Sequence, residues 1–258
     1  MNKKLIFFDM DGTLIDHRVN QVPKSTQEAI RQLKEQGHVC AIATGRCPSL
    51  LYGFDEQLGI QNIIASNGRY VKVGDNVIQN LTMPKERVLA LTQHLESFEI
   101  GVAYQTADAY AAKSLFGDAH ILFAQHYNEE VPKITPNFTG FDDVLQMIIY
   151  TKDALPDEVI KAFSDVRFTK SCDYGYDVTM GEGLKEVGVE KLCHYLGFSK
   201  EDTLAIGDGL NDISMFRHVG LSVAMGNAHK EVKEAADLVT ESVDEDGIYN
   251  ILKKLNLI

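Results

Sequence analysis

Basic residues are scarce in this chain of 258: 25 Lys and Arg stand against 37 Asp and Glu, for a formal charge of −12. No local basic block offsets that charge, so nucleic acid and anionic membranes are not expected partners. Long apolar runs are missing too. None approaches the ~18 residues that mark a membrane span, and no N-terminal leader pattern is present, so the expected compartment is the cytoplasm. Cysteine is rare, and Cys40, Cys47, Cys172 and Cys193 form no CxxC pair. Cys40 sits in the apolar run "HVCAIATG" and Cys193 on a predicted helix, which reads as packed, inert thiols. There is no internal repeat and no low-complexity segment. What is present is a 45% hydrophobic composition at a length that buries a sizeable core, as one large domain or two modest ones.

The first clear element is Leu5, Ile6, Phe7 and Phe8, an apolar run suited to a strand buried on both faces of a parallel sheet. "STQEAIRQLKEQG" predicts a helix with a Ser25 and Glu28 capping box, an inward stripe of Ala29, Ile30 and Leu33, and a stop at Gly37. A strand "VCAIATG", a helix over Ser49–Leu58 and a strand "NIIAS" complete a βαβαβ pattern. The alternation resumes near the C-terminus with "KEVGVEKLCHYLG", "TLAIGDG", "NDISMFRHVG", "LSVAMGN" and a helix from His229 to Ala236. The expected class is α/β, a doubly wound parallel sheet with helices on both faces and ligands at the carboxyl ends of its strands.

Between these halves the pattern changes. A helix "PKERVLALTQHLESF", short strands "IGVAYQ" and "AYAAK", a helix near Phe116–Tyr127, then "QMIIYT", "LPDEVIKAFSD" and "VRFTK" predict an inserted α+β module. The expected division is a core of residues 1–82 and 184–258 interrupted by an insertion of residues 83–183. "SCDYGYDVTMGEG" is a predicted hinge, with Gly181 and Gly183 supplying its freedom. Tyr104 and Tyr110 are expected to pack within the insertion.

Asp9 and Asp11 follow the first strand directly, and Gly12 releases the chain into a turn. On the two-residue period of a strand end, both side chains are expected to point into one crevice. Two like charges held so close are costly unless a cation or a shared proton relieves them. "GDGLND" brings Asp208 and Asp212 to the end of another strand, making four carboxylates for one crevice. A hard divalent cation accounts for them, and Mg²⁺ fits best, because it takes few protein carboxylates and keeps positions for water and phosphate oxygens. "ATGR" ends the second strand with a hydroxyl at Thr44, an approachable backbone at Gly45 and a cation at Arg46, and Lys185 adds an ammonium. Those groups point to a phosphate.

Together these residues resemble the haloacid dehalogenase superfamily of phosphotransferases: "DMDGT", "ATGR", Lys185 and "GDGLND" match its four motifs in order. The insertion, "SNG" at Ser66–Gly68 and "AMGNA" at Ala224–Ala228 further resemble its Cof-type members, which carry a type IIB cap. Arg69 stands where that subfamily commonly has alanine, and Glu186 where glycine is usual, which bears on substrate preference.

The resemblance implies a Mg²⁺-dependent phosphatase acting on a small phosphorylated metabolite. Asp9 is its implied nucleophile, ionised at neutral pH because a free carboxyl titrates near ~4. Asp11 is the implied acid and base. Mg²⁺ is implied on the Asp9 carboxylate, the Asp11 backbone carbonyl and Asp208, with Asp212 direct or through water. Thr44, Gly45, Lys185 and Asn211 are implied phosphate holders, and Arg46, Asn67 and Asn227 substrate contacts. Transfer to a second hydroxyl instead of water, or a receiver-like or catalytically silent regulator, stays open at this stage. A monomer is the default, with a dimer allowed.

Overall fold

The structure is a computed structural model that describes residues 3–181 and 185–258. The chain divides into two compact units: one of Met1–Arg46, Leu51–Gln79 and Leu184–Ile258, the other of Cys47–Leu50 and Asn80–Gly183.

In chain order the elements are β1 (Leu5–Phe8), α1 (Lys24–Glu35), β2 (Val39–Ala43), α2 (Phe54–Leu58), β3 (Asn62–Ala65), β4 (Tyr70–Val73) and β5 (Asn76–Asn80). Then come α3 (Lys85–Glu96), β6 (Gly101–Gln105), β7 (Tyr110–Ala112), α4 (Ala119–Tyr127), β8 (Lys133–Ile134), β9 (Gln146–Tyr150), α5 (Asp157–Ala162), β10 (Val166–Cys172) and β11 (Gly175–Met180). The chain continues through α6 (Lys185–Leu196), β12 (Thr203–Gly207), α7 (Asp212–Phe216), β13 (Leu221–Ala224), α8 (Lys230–Ala235), β14 (Leu238–Val239) and α9 (Gly247–Lys254).

The first unit holds a sheet of order β14-β13-β12-β1-β2-β3-β4-β5, parallel from β14 to β3, with β4 antiparallel to β3. All four residues of β1 are fully buried, as an apolar strand covered on both faces must be. Leu5 and Phe7 belong to the cluster that takes in Val189 and Leu192 of α6, Met215 and Phe216 of α7, and Val232 of α8. Alternation then sends Ile6 and Phe8 to the opposite face. The strand order reverses at β1: Phe8 lies level with Ile206 on one side and Ile42 on the other. Such a reversal leaves a crevice beyond the strand ends, where ligands of open α/β sheets bind. The expected doubly wound α/β class is therefore the observed one.

Lys185, Gly188, Val189 and Leu192 are the buried residues of α6, a clean helical stripe. A Cβ on Gly188 would sit 2.4 Å from Ile64 Cγ2 and 3.2 Å from the Gly68 Cα. The missing side chain lets α6 close on β3 and on the turn after it. Gly188→Ala is expected to cost about 1–3 kcal/mol by overpacking, read as a lower urea midpoint at unchanged slope; an unchanged midpoint would show that Ile64 yields freely.

The second unit holds a sheet of order β10-β11-β9-β6-β7-β8, antiparallel except for the β7 and β8 pair. One face packs on α3 and α5 through Val102, Met147, Ile149 and Val178; the other meets Phe123 of α4 through Ala103, Ile148 and Tyr150. Tyr104 is fully buried and donates its hydroxyl to Thr92 Oγ1, while the Tyr110 and Tyr150 hydroxyls pair with each other.

Two local expectations, for the starts and ends of helices, fail for physical reasons. The helix α1 starts at Lys24 behind Pro23, so Ser25 lies inside the first turn, where its Oγ is buried with no partner and no capping box forms. Glu28 instead binds Arg31 and Gln32. The Ser49–Leu58 helix is broken by the left-handed Tyr52 and Gly53 into a short 3-10 turn and α2. Within the predicted hinge, Gly175–Met180 is strand β11, with Gly181 beyond it at φ +69°. Gly183 lies outside the described residues. All four thiols are free, and burial pushes Cys40 and Cys47 up to about 12, which keeps them protonated and unreactive.

Candidate active site

Asp9 is the first residue past β1, and its N–H still donates to the Ile206 carbonyl, 2.9 Å, so the ladder carries the backbone to the strand's very end. Its side chain is nearly buried, 8% exposed. Across the crevice, α6 begins with Lys185, whose ammonium donates to Asp9 Oδ1 at 2.5 Å and to Asp212 Oδ1 at 2.6 Å. Asp212 is fully buried, and its other oxygen accepts the N–H groups of Asp208 and Gly209, 3.0 and 2.9 Å. It thus closes the loop that carries Asp208. Asp208 in turn accepts the Thr13 hydroxyl on Oδ1 at 2.7 Å.

Carboxylate oxygens of Asp9, Asp208 and Asp212 all lie within 4.8 Å of one another. One ammonium faces these three acids, and the imbalance is visible in their titration. Burial, and next the charge of Asp212, drives the Asp9 carboxyl well above its ordinary range against the pull of Lys185. Burial likewise lifts Asp208 to about 6. Burial would depress Lys185, but Asp212 and Asp9 outweigh it and hold the ammonium above its ordinary range. The expectation that Asp9 titrates like a free carboxyl is corrected here: burial and the neighbouring acids hold it above that range despite Lys185. A hard divalent cation fits that excess of negative charge, and carboxylate oxygens are the donors such cations take.

Asp11 lies elsewhere. Its carboxylate is gripped by the Arg46 guanidinium, Nε to Oδ2 at 2.9 Å and Nη2 to Oδ1 at 2.6 Å, with His17 Nε2 3.8 Å from Oδ1. Four carboxylates therefore do not converge as the strand period suggested; three do, and the fourth is held in a guanidinium fork. β1 ends at Phe8, so the strand period does not carry through to Asp11.

The remaining predicted residues fall in two groups. Gly45, Asn67 and Asn211 come together: a Cβ on Gly45 would be 3.4 Å from the Asn67 carboxamide and 3.6 Å from Asn211 Nδ2, and Asn211 Nδ2 donates to Asn67 Oδ1 at 3.0 Å. Thr44, fully buried, accepts the Arg46 N–H on Oγ1 at 3.0 Å. Ser66, Asn67 and Gly68 are three successive residues with φ of +48°, +50° and +87°, a costly conformation for the first two and typical of ligand-facing turns. Asn227 belongs to the other group, with Nδ2 donating to the Gly12 carbonyl at 2.8 Å and to Asp208 Oδ2 at 3.1 Å. Arg69 is 3% exposed, so it packs inside the unit. Thr13 was not singled out from sequence, although it is the last residue of "DMDGT" and its spacing from Asp9 was the available signal.

Among known proteins, the family model described as haloacid dehalogenase-like hydrolase matches residues 6–252. The Bacillus subtilis phosphatase candidate YkrA is 35% identical over 259 residues, covering all of both chains. A solved structure of a hypothetical protein from Geobacillus kaustophilus is 36% identical with a TM-score of 0.93, again covering all of both chains. A solved sugar phosphatase of the superfamily's subclass IIB is 30% identical with a TM-score of 0.81, covering 99% of this chain and 100% of its own.

Proposed function

This chain belongs to the haloacid dehalogenase-like hydrolases, and on that premise we propose that it is a Mg²⁺-dependent phosphoric monoester hydrolase working through an aspartyl-phosphate. The observation that carries the reading is Asp9, a buried carboxylate at the end of the central strand with an ammonium 2.5 Å away and two further acids within reach. An aspartate serves as nucleophile without a base of its own, provided it is ionised.

Asp9 Oδ attacks phosphorus in line with the bond to the leaving alkoxide. Asp11 gives that oxygen a proton, and then takes one from the water that cleaves the aspartyl-phosphate. Thr44, Gly45 and Asn211 offer a hydroxyl, backbone and carboxamide to the equatorial oxygens, since phosphoryl transfer is driven mostly by positioning and neutralisation. Lys185 balances the charge of Asp9 and Asp212 throughout. Mg²⁺, held by Asp9, Asp208 and the Asp11 backbone, with Asp212 behind them, would neutralise charge on the phosphoryl group when bound. The insertion of residues 83–183 is the proposed cap, reading the leaving group of a small phosphorylated metabolite. Among the described residues no helix is long and apolar enough to cross a membrane.

The test is phosphate release from p-nitrophenyl phosphate, acetyl phosphate and a panel of phosphorylated metabolites, with and without an acceptor sugar. Activity is expected to need Mg²⁺ and to fall by about a thousandfold on chelation with EDTA, several kcal/mol of lost charge stabilisation. Absence of release from every compound with Mg²⁺ present would sink the proposal, and phosphate appearing on the acceptor would make the enzyme a transferase.

A further inference from the structure

Asp208 is held at both oxygens by side chains from two separate loops. Thr13, with no exposed surface, donates its hydroxyl to Oδ1 at 2.7 Å. Asn227 donates Nδ2 to Oδ2 at 3.1 Å and also to the Gly12 carbonyl at 2.8 Å, while its Oδ1 accepts the Val243 N–H at 3.0 Å. Both protons of that carboxamide are spent on the protein and its oxygen is occupied. Although Asn227 is exposed, its carboxamide is already engaged by the protein at both nitrogen and oxygen.

The surrounding chain is built to hold this arrangement. Ala224 of β13 pairs with Gly207 of β12, so Asn227 emerges beside the loop bearing Asp208. A Cβ on Gly226 would meet Ser242 N at 2.5 Å, and one on Gly12 would meet Asp208 Oδ2 at 2.2 Å. Both glycines permit contacts that any side chain would break.

We infer that Thr13 and Asn227 form a two-point clamp that presets the Asp208 carboxylate as a metal ligand, making Asn227 a positioning residue instead of a substrate contact. The inference rests on the proposed metal role of Asp208. Each hydrogen bond fixes one oxygen through one lone pair, leaving the others directed at the crevice, so the ion meets a ligand already in place. Partners of this sort typically contribute ~10–100-fold to metal affinity.

Thr13→Val keeps the shape of the side chain and removes the hydroxyl; Asn227→Ala removes the second hold. Each single variant of the full chain is expected to bind Mn²⁺ about 10–100-fold more weakly by titration calorimetry without substrate. Turnover should recover as metal is raised, with the substrate KM at saturating metal unchanged. Asn227→Ser, which keeps a polar group, should restore part of the affinity if Asn227→Ala is poorly folded. Unchanged Mn²⁺ affinity in Thr13→Val and in a folded Asn227 variant overturns the clamp, as does a raised substrate KM at saturating metal. Asp208→Asn is the control: if it too binds Mn²⁺ normally, the metal reading itself has failed, whereas a loss confined to Asp208→Asn sinks only the clamp.

Discussion

Asp9→Asn is expected to lower turnover at least about ten-thousandfold while leaving a folded protein, because the substitution removes the only atom proposed to bond phosphorus. The carboxamide keeps an oxygen that accepts from Lys185, now 2.5 Å away. It also relieves the burial and repulsion from Asp212 that push the Asp9 carboxyl upward. The melting midpoint without metal should therefore hold or rise. Substantial phosphatase activity in a preparation shown by mass spectrometry to be free of deamidated enzyme would remove Asp9 from the mechanism.

The second large effect is kinetic in form. Asp11→Asn should slow hydrolysis of an alkyl phosphate by ~10²–10⁴, the usual contribution of a positioned acid or base. Nitrophenolate leaves without a proton, so with p-nitrophenyl phosphate only the second step should suffer. A stoichiometric burst of nitrophenolate, followed by slow turnover, is the expected trace. Equal defects with both substrates and no burst would argue that Asp11 acts on something other than the leaving oxygen and the water. In the structure the Asp11 carboxylate is clasped by Arg46 through two hydrogen bonds.

The parts of the site that could be read from sequence are those set by strand ends. Asp9 and Asp208 follow β1 and β12, whose apolar runs give position and direction without further help. Thr44 and Gly45 follow β2 for the same reason. The orientation of Asp11 was not readable, because β1 stops at Phe8 and the carboxylate is held by Arg46, a partner 35 residues away. The anchoring of Asn227 was not readable either, because nothing local reveals that Gly12, Asp208 and Val243 converge on its carboxamide. Among the elements, α6 was legible from a stripe at helical spacing. The β4 and β5 hairpin is the harder case, although "YVKVGDNVIQN" holds a Gly74-Asp75 turn between short alternating runs. Ser25 shows the limit of local signals: a capping pattern has no effect once a proline sets the helix start two residues earlier.

The central strand has one more consequence, for the order in which the molecule is made. β1 needs β12 along one edge, and Leu5 and its partner Thr203 are about 200 residues apart. At a synthesis rate of ~5–20 residues per second, β1 waits roughly 10–40 seconds with that edge unpaired. The unit of Asn80–Gly183 is completed in this interval and has its own sheet and core. During translation, then, the inserted unit can be native while the catalytic sheet around it still presents an open, wholly apolar strand. That strand is where a nascent chain of this design is most exposed to aggregation and most in need of a chaperone.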